Sequence, residues 1–305
     1  MNISNLLHER ELLKSRLEKM IYGSIEIREH NGRQYIYVHY RDDGIKRSKY
    51  AGEFSNVLYN VIIENNTLAK QYKKRIKEIN KKLDSINYSA RDLNENVLIN
   101  VALARRNMVD STYKQAMLEG VATTYSDTEN IVNGGKVMNM TSNDIAKVIN
   151  LKRAWEFILN DGVISYPTNY AILCQINSII EDGFSCVAGR LRSVPVTIGG
   201  STYMPPMPIE QMIKDDLDKI LNLNNDVIDV TIELLLYVMK KQLFLDGNKR
   251  TAVIIANHYL ISNGGGIIVV PAELVSEYKK LLILYYEDRS DDIKLFLKNK
   301  CWINV

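Results

Sequence analysis

A short run of residues combines the chemical groups that hold phosphate and a divalent cation. Residues 242–252 read Gln-Leu-Phe-Leu-Asp-Gly-Asn-Lys-Arg-Thr-Ala and lie between two apolar, helix-like segments. Asp246-Gly247-Asn248 therefore predicts a tight turn that opens a helix, where free backbone N–H groups attract anions. Arg250 can hold a phosphate through two parallel hydrogen bonds, and Asp246 offers the kind of oxygen that Mg²⁺ accepts beside a substrate's phosphates. Taken alone, the run fits a solvated turn between two helices equally well.

The same run resembles the signature of the Fic (filamentation induced by cAMP) family, His-x-Phe-x-Asp/Glu-Gly-Asn-Gly/Lys-Arg. The residues that match it position for position are Phe244, Asp246, Gly247, Asn248 and Arg250. Phe244 is predicted to point into the core and anchor the loop. Upstream, three segments in the right order resemble the flap of that family: Gly189–Arg192, Val194–Gly200 and Tyr203–Pro208. The resemblance covers roughly residues 110–300.

The resemblance implies both a fold and an activity. The fold is mainly α, a Fic (fido) helical core with a β-hairpin flap. The activity is transfer of AMP from ATP to a Ser, Thr or Tyr hydroxyl of a target protein, although the sequence does not choose between ATP and another nucleotide. In that scheme Asp246 holds Mg²⁺, and the cofactor-binding residues are Gly247, Asn248, Lys249 and Arg250. The target protein pairs with the flap, residues 194–204, as an added strand.

Three departures from the signature bear on activity. Gln242 stands at the position of the family's catalytic base, and a carboxamide cannot accept a proton near pH 7. Lys249 replaces the commoner Gly, as it does in the Doc-like branch of the family. Val253 stands where a second Arg often contacts phosphate. His258 lies about 12 Å along the helix from Arg250 and is predicted to be a satisfied helix histidine rather than a substitute base.

These departures leave open whether the chain is an enzyme. The leading hypothesis is a Mg-nucleotide-binding relative of protein adenylyltransferases in which Gln242 makes transfer weak or absent. The alternative is a non-catalytic regulator, or a toxin–antitoxin component, that acts through partner binding.

A regulatory element precedes the core. Residues 115–120 resemble the inhibitory-helix motif Ser/Thr-x-x-x-Glu-Gly/Asn, which predicts a regulatory Glu119 on a helix near residues 110–120. In the family this Glu pairs with the second motif Arg, which is Val253 here, so Glu119 is expected to hold Lys249 or Arg250 instead. An ordinary helix that ends at Gly120 is the other explanation.

The N-terminal third predicts a separate arm, residues 1–90, ahead of a Fic domain at residues 91–305. A helix over residues 3–21 precedes a three-stranded meander, whose turns are predicted at Asn31-Gly32 and Asp43-Gly44. A long helix over 54–87 follows, with a coiled-coil-like seam of Ile76, Ile79, Leu83 and Ile86. Its lysines and the tyrosines of the meander fit base stacking, a partner-docking or self-associating arm, or a solvated face, which is the simplest of the three.

Bulk properties narrow the class of protein. The 39 Lys and Arg nearly balance the 36 Asp and Glu, so no nucleic-acid partner is expected from net charge. The three cysteines, Cys174, Cys186 and Cys301, show no metal-binding spacing. No apolar run reaches membrane-spanning length and no signal pattern opens the chain, so a cytoplasmic protein without a membrane partner is expected.

Overall fold

The structure is a computed structural model that describes residues 6, 9–10, 12–14, 16–17, 20–42, 45–85, 93–138 and 140–304. The chain divides into two units, Met1–Ser89 and Ala90–Val305. Among the described residues, no helix combines the length and the apolar character that crossing a bilayer requires.

The first unit contains the predicted meander and the long helix. Strands β1, β2 and β3 pair antiparallel in that order, and helix α1 follows; their bounds are Ser24–His30, Arg33–Asp42, Ile45–Glu53 and Asn56–Ser85. Asn31 and Gly32 both have positive φ, 51° and 74°, which is the tight hairpin turn that an Asn-Gly pair favours. The turn predicted at Asp43-Gly44 lies outside the described residues.

The sheet of this unit buries one face only. Ile36 and Val38, two residues apart on β2, are 0% and 1% exposed and pack with Ile62 of α1. Along the predicted seam of α1, Ile79 and Leu83 are buried, whereas Ile86 lies outside the described residues. The described positions between residues 6 and 17 that belong to the predicted first helix are helical, and Glu9 forms an ion pair of 2.6 Å with Arg75 of α1.

The second unit is helical. Its helices are α2 Glu95–Arg106, α3 Met108–Leu118, α4 Tyr125–Val132, α5 Ser142–Ile158, α6 Asp161–Ile164, α7 Tyr170–Ile180, α8 Glu210–Leu221, α9 Val227–Lys241, α10 Asn248–Ser262, α11 Val275–Tyr286 and α12 Asp292–Phe296. Ala272–Leu274 forms a 3₁₀ turn, Leu297–Cys301 forms a π-helical turn, and the short strands β4 and β5, Ile267–Ile268 and Trp302–Ile303, pair antiparallel.

Helix α10 forms the centre of this unit. All of its residues except Lys249, Tyr259 and Ser262 are buried, so it is surrounded by other helices on every side. Its N-terminus at Gly247 has no side-chain cap, whereas α7 begins with Asn169, whose side chain accepts two backbone N–H groups. The first turn of α10 therefore keeps backbone donors that no capping side chain satisfies.

The flap does not form the predicted β-hairpin, so the prediction of its conformation is wrong. Residues 182–209 contain no helix or strand. Four prolines in this segment, at 195, 205, 206 and 208, lack the N–H groups that strand pairing needs. Side chains form hydrogen bonds with backbone groups of the segment instead, so it is an ordered loop. Residues 191–209 are called the flap loop below.

Candidate functional site

The predicted turn between α9 and α10 is closed by its own side chains. The Asn248 side chain accepts the N–H of Phe244 at 2.9 Å and donates to the carbonyl of Phe244 at 2.8 Å. Phe244 is 1% exposed and anchors the turn in the core, as predicted. Asp246 Oδ1 accepts the N–H of Gly247 at 2.6 Å, while its side chain remains 73% exposed.

Gly247 is required by a close approach of α7. Its φ is +74°, and a Cβ there would lie 2.5 Å from Glu181 Oε1 and 3.2 Å from Asn177 Nδ2. Asn177 donates to the carbonyl of Asp246 at 3.0 Å and accepts the N–H of Gly189 at 2.9 Å. The end of α7 therefore fixes both the turn and the segment that leads into the flap loop.

Arg250 is buried among carboxylates. Its side chain is only 6% exposed, and its guanidinium lies 3.0 Å from Glu181 Oε1, 3.6 Å from Asp246 Oδ1 and 3.8 Å from Glu119 Oε2. Lys249 Nζ lies 3.5 Å from the other oxygen of Glu119. The structure thus brings together the predicted residues Asp246, Lys249, Arg250 and Glu119, with Glu119 facing both cations as expected.

Several buried polar atoms of this group have no hydrogen bond. Within the described part of the chain, Arg250 Nε, Glu119 Oε1 and Glu181 Oε1 make ion-pair contacts without an aligned hydrogen-bond partner. Buried polar atoms are usually satisfied, because an unmet hydrogen bond costs about 1–3 kcal/mol. A ligand with charged oxygens could complete the bonds of Arg250.

Glu181 is the member of the site that sequence analysis missed. It is 2% exposed, and burial raises the pKa of its carboxyl, as do the nearby Asp246 and Glu119, whereas Arg250 lowers it. It belongs to no motif. The one available signal was weak: Glu181 sits at the C-terminal end of α7, where the helix dipole disfavours a negative charge.

Gln242 adopts a strained backbone conformation at the end of α9. Its φ and ψ, 46° and 62°, are left-handed, which is uncommon for residues other than Gly or Asn. Its side-chain amide donates to the carbonyl of Met239 at 2.6 Å, and its own carbonyl accepts Arg192 Nε at 2.6 Å. The residue at the predicted base position therefore caps its own helix.

Arg192 organises the flap loop. Besides the Gln242 carbonyl, its guanidinium donates to the carbonyls of Val194, Pro205 and Pro206, at 2.8, 3.2 and 2.6 Å. Both ends of the loop are thus held beside the turn that precedes α10. The arginine of the predicted Gly-x-x-Arg segment acts structurally here.

The tip of the flap loop is held by a different residue. Glu287, just after α11, accepts the backbone N–H of Thr202 at 2.9 Å, the Thr202 hydroxyl at 3.1 Å and the Ser201 hydroxyl at 3.3 Å. These bonds occupy the Thr202 N–H group that an added strand would otherwise use.

Helix α3 is tied directly to α10. Gln115 Nε2 donates to the carbonyl of Arg250 at 2.8 Å, and Gln115 Oε1 accepts Trp155 Nε1 at 3.2 Å. Gly120 follows α3 with φ +72°. The helix that ends at Glu119 therefore has the glycine stop of an ordinary helix and also contacts the first turn of α10 directly; a regulatory part for Glu119 stays a prediction.

His258 is a structural histidine, as predicted. It is fully buried, its Nε2 faces the carbonyl of Val163 at 3.1 Å, and its Nδ1 faces the Thr168 hydroxyl at 2.8 Å. Burial lowers its pKa to about 4. A carbonyl only accepts, so Nε2 carries the proton, and the ring is neutral.

A metal at this site would need ligands from the nucleotide. No group of three or more His, Cys, Asp and Glu side chains among the described residues could hold an ion. Asp246 alone presents an exposed carboxylate at the turn. This arrangement suits Mg²⁺, which commonly binds through one or two carboxylates together with phosphates and water.

Comparison with known proteins adds a family to this geometry. Residues 167–260 match the Fic/DOC family. No curated protein matches the chain. Similar solved structures include Fic-1 from C. elegans, with 21% identity, a TM-score of 0.54, and coverage of 77% of this chain and 72% of that one. A Fic domain containing signaling protein from Bacteroides thetaiotaomicron has 22% identity, a TM-score of 0.53, and coverage of 66% and 80%. A Fic family protein from Desulfovibrio desulfuricans has 18% identity, a TM-score of 0.53, and coverage of 71% and 65%. At these identities the likenesses show the fold.

Proposed function

We propose that the turn before α10 binds a Mg-nucleotide and that AMP transfer to a protein hydroxyl is weak or absent. The proposal starts from the match of residues 167–260 of the chain to the Fic/DOC family. The observation that carries nucleotide binding is the uncapped start of α10 beside Arg250 Nε, a buried donor without an aligned partner. Free N–H groups and a guanidinium at one place form a site for phosphate oxygens.

The remaining residues of the turn have defined parts in this proposal. The backbone N–H groups of Asn248 and Lys249 face the phosphates at the helix start. The exposed carboxylate of Asp246 supplies one ligand for Mg²⁺, which when bound neutralises phosphate charge. ATP is the first nucleotide to test, because it is the donor that the resemblance implies.

Transfer is expected to be weak because the site lacks a base. A general base contributes on the order of 10²- to 10⁴-fold to a proton transfer of this kind. Gln242 cannot accept a proton, and its amide is already bonded to the carbonyl of Met239. His258 is buried and neutral, so it does not replace the base.

A non-catalytic regulator is the second candidate, and one observation favours it. Arg250 already lies within 4 Å of three carboxylates, Glu119, Glu181 and Asp246. A nucleotide phosphate must compete with these groups for the guanidinium. Such a protein would act through partners, with a target at residues 194–204 of the flap loop or a partner on the N-terminal arm.

Calorimetry with Mg-ATP and Mg-GTP tests the proposal. Wild type is expected to bind, and Arg250→Ala is expected to lose about 1.5–3 kcal/mol, the usual contribution of a hydrogen bond to a charged group. Absence of binding at millimolar nucleotide would contradict the site. Incubation with labelled nucleotide and a lysate then separates the candidates: labelled protein bands support an enzyme, and binding without transfer supports a regulator.

A further inference from the structure

The outer face of the β1–β2–β3 sheet carries a cluster of tyrosines. Ile36 and Val38 point to the core of the unit, so Tyr35 and Tyr37, which alternate with them on β2, lie on the opposite face. Tyr50 of β3 pairs with Tyr37, and their ring centroids are 5.5 Å apart. Within the described part of this unit, these three tyrosines are not members of the apolar cluster around Ile36, Val38 and Ile62. We call them the tyrosine face.

The tyrosine face is accessible and carries a stacked cation. Tyr50 is 54% exposed, which is more than is usual for a tyrosine that packs in a core. The Tyr35 and Tyr50 rings are 6.2 Å apart and tilted by 51°. The guanidinium carbon of Arg28 lies 4.5 Å from the centre of the Tyr37 ring, a cation–π contact. Flat rings and an arginine plane on an open sheet are the groups on which nucleic-acid bases stack.

Two acidic residues, Glu26 and Glu53, pair with these tyrosines across the sheet, and Glu26 is already neutralised. Glu26 pairs with Tyr37 across the sheet, accepts two bonds from Arg28 at 2.9 and 3.0 Å, and contacts His39 Nε2 at 2.5 Å. The hydrogen bond from Arg28 is the main cause that lowers the pKa of Glu26 to about 2. At neutral pH this face therefore presents no unpaired carboxylate from Glu26 to a phosphate backbone.

The charge of the whole chain conceals a strong difference between its units. The first 89 residues contain 17 Lys and Arg and 11 Asp and Glu, a net charge of +6. The remaining residues contain 22 Lys and Arg and 25 Asp and Glu, a net charge of −3. The two charges add up to the +3 of the whole chain. Lys46, on the edge strand β3, is exposed and lies on the same face of the sheet as Tyr50, because the two residues are four positions apart. Such a charge difference is typical of proteins that bind a polyanion through one part.

We propose that the tyrosine face binds single-stranded nucleic acid, with bases stacked on Tyr37 and Tyr50 and the phosphate backbone beside Lys46. This function is separate from nucleotide binding before α10 and does not depend on it. The sheet stacks bases without reading their sequence, because every base offers a ring to an aromatic side chain. The expected ligand is therefore a flexible single strand, whatever its base sequence.

The test is fluorescence anisotropy of the full chain with labelled oligothymidine and oligouridine of about 20 nucleotides, longer than the roughly 4–16 that a stacking platform covers. Wild type is expected to bind at about 50 mM salt and to lose affinity steeply by about 200 mM. Tyr37→Ala with Tyr50→Ala is expected to weaken binding by roughly tenfold or more, because stacking is lost. Tyr37→Phe with Tyr50→Phe keeps the rings and is expected to bind as wild type does.

Two further variants separate stacking from bulk charge. Lys46→Gln is expected to lower the salt dependence, because fewer counterions are released. Tyr125→Ala, which removes a 46% exposed tyrosine of the second unit, is expected to change nothing. The proposal is overturned if wild type does not bind at low salt, or if the double Ala variant binds unchanged while remaining folded by circular dichroism. A third outcome also overturns the proposal: the wild type binds no oligonucleotide, and light scattering shows that it is a dimer whereas the double Ala variant is a monomer. The face is then a protein interface.

Discussion

At the scale of single residues, the site is defined by what surrounds Arg250. Three carboxylates lie within 4 Å of one guanidinium, and the nearest of them, Glu181, is also the most buried. Burial of both partners makes Glu181 a fixed neighbour, since removing one partner of a buried pair is strongly unfavourable. Asp246 is the exposed carboxylate and is assigned to Mg²⁺. Of the other two carboxylates, Glu119, which is 16% exposed and also contacts Lys249, is the one that a phosphate can displace more easily.

Gln242→His is expected to gain transfer activity. The residues on both sides of Gln242 match the signature, and a positioned base contributes on the order of 10²- to 10⁴-fold. Labelling of the protein itself or of a target should rise, while nucleotide affinity measured by calorimetry stays nearly constant. The gain is limited by Val253, which supplies no phosphate contact. A wild type that already transfers efficiently, with Gln242→Ala equally active, would show that no side-chain base is needed.

Glu119→Gly is expected to tighten nucleotide binding. It removes the carboxylate that faces Lys249 and Arg250, so Lys249 loses this partner and Arg250 keeps only Glu181 and Asp246 as competitors of a phosphate. Calorimetry with Mg-ATP measures the change in affinity. Glu129→Gly, which removes an exposed carboxylate from α4, serves as the control for net charge. Equal affinities and equal labelling in wild type and Glu119→Gly would argue against a restraining part for Glu119.

Gly247→Ala is expected to destabilise the protein by about 1–3 kcal/mol, the range for a residue forced into an unfavourable backbone conformation. The added methyl group would lie 2.5 Å from Glu181 Oε1, at φ +74°. Gly134→Ala is the matched control, because Gly134 has φ +77° and no atom within 4 Å of the added carbon. Chemical denaturation compares the two variants. An equal loss of unfolding free energy in both variants would mean that backbone strain alone accounts for the loss. The end of α7 would then move away from the added methyl group at little cost.

At the scale of structural elements, the flap loop differs most from its prediction. The prolines in its sequence argue against regular pairing, but several of the contacts that hold it in place join residues distant in the chain. Glu287 lies 85 residues beyond Thr202, and Arg192 joins the two ends of the loop to the carbonyl of Gln242. Such partners cannot be found from local pattern, because only the packing of α11 brings Glu287 to the loop.

Glu287→Ala is expected to free the tip of the flap loop. The amide of Thr202 should then exchange with solvent much faster, because its acceptor is gone. Glu277→Ala is the control, since Glu277 lies on α11, the helix that ends just before Glu287, but pairs with Lys300. Hydrogen exchange followed by mass spectrometry gives the readout, and unchanged protection of peptides that contain Thr202 would contradict the contact.

The same contact predicts a pH dependence. The backbone hydrogen bond from Thr202 is the main cause that lowers the pKa of Glu287. A group whose pKa is lower in the folded state contributes stability above its unfolded pKa and loses that contribution as pH falls through the folded value. Protection of Thr202 should therefore be full at neutral pH and disappear only in acid, below the ordinary titration range of Glu.

At the scale of the whole molecule, the chain combines two compact units, each with an apolar cluster of its own. The hairpin turn at Asn31-Gly32, the long helix α1 and the turn before α10 follow from local sequence, and the structure contains all three. Asn177 and Glu181 did not follow from sequence, because α7 carries no motif and meets the turn only through tertiary packing. Local rules identified the motif of the site, whereas long-range contacts supplied its supports.

A protein that begins near residue 90 is expected to keep nucleotide binding and to lose partner capture or self-association. The candidate site draws every contact described above from residues after Ser89. Calorimetry tests the first expectation, and light scattering with affinity capture tests the second. A truncated protein that fails to fold would show instead that the first unit completes the core of the second.

The hydrogen bonds from Trp155 through Gln115 to the carbonyl of Arg250 have a practical consequence. The chain contains only two tryptophans, and Trp155 is completely buried while its indole N–H is part of this connection. Indole emission is sensitive to such a bond, so in a Trp302→Phe background the intrinsic fluorescence of the protein reports on the first turn of α10. The molecule thus carries its own optical probe of the turn before α10, and titrations with nucleotide need no attached dye.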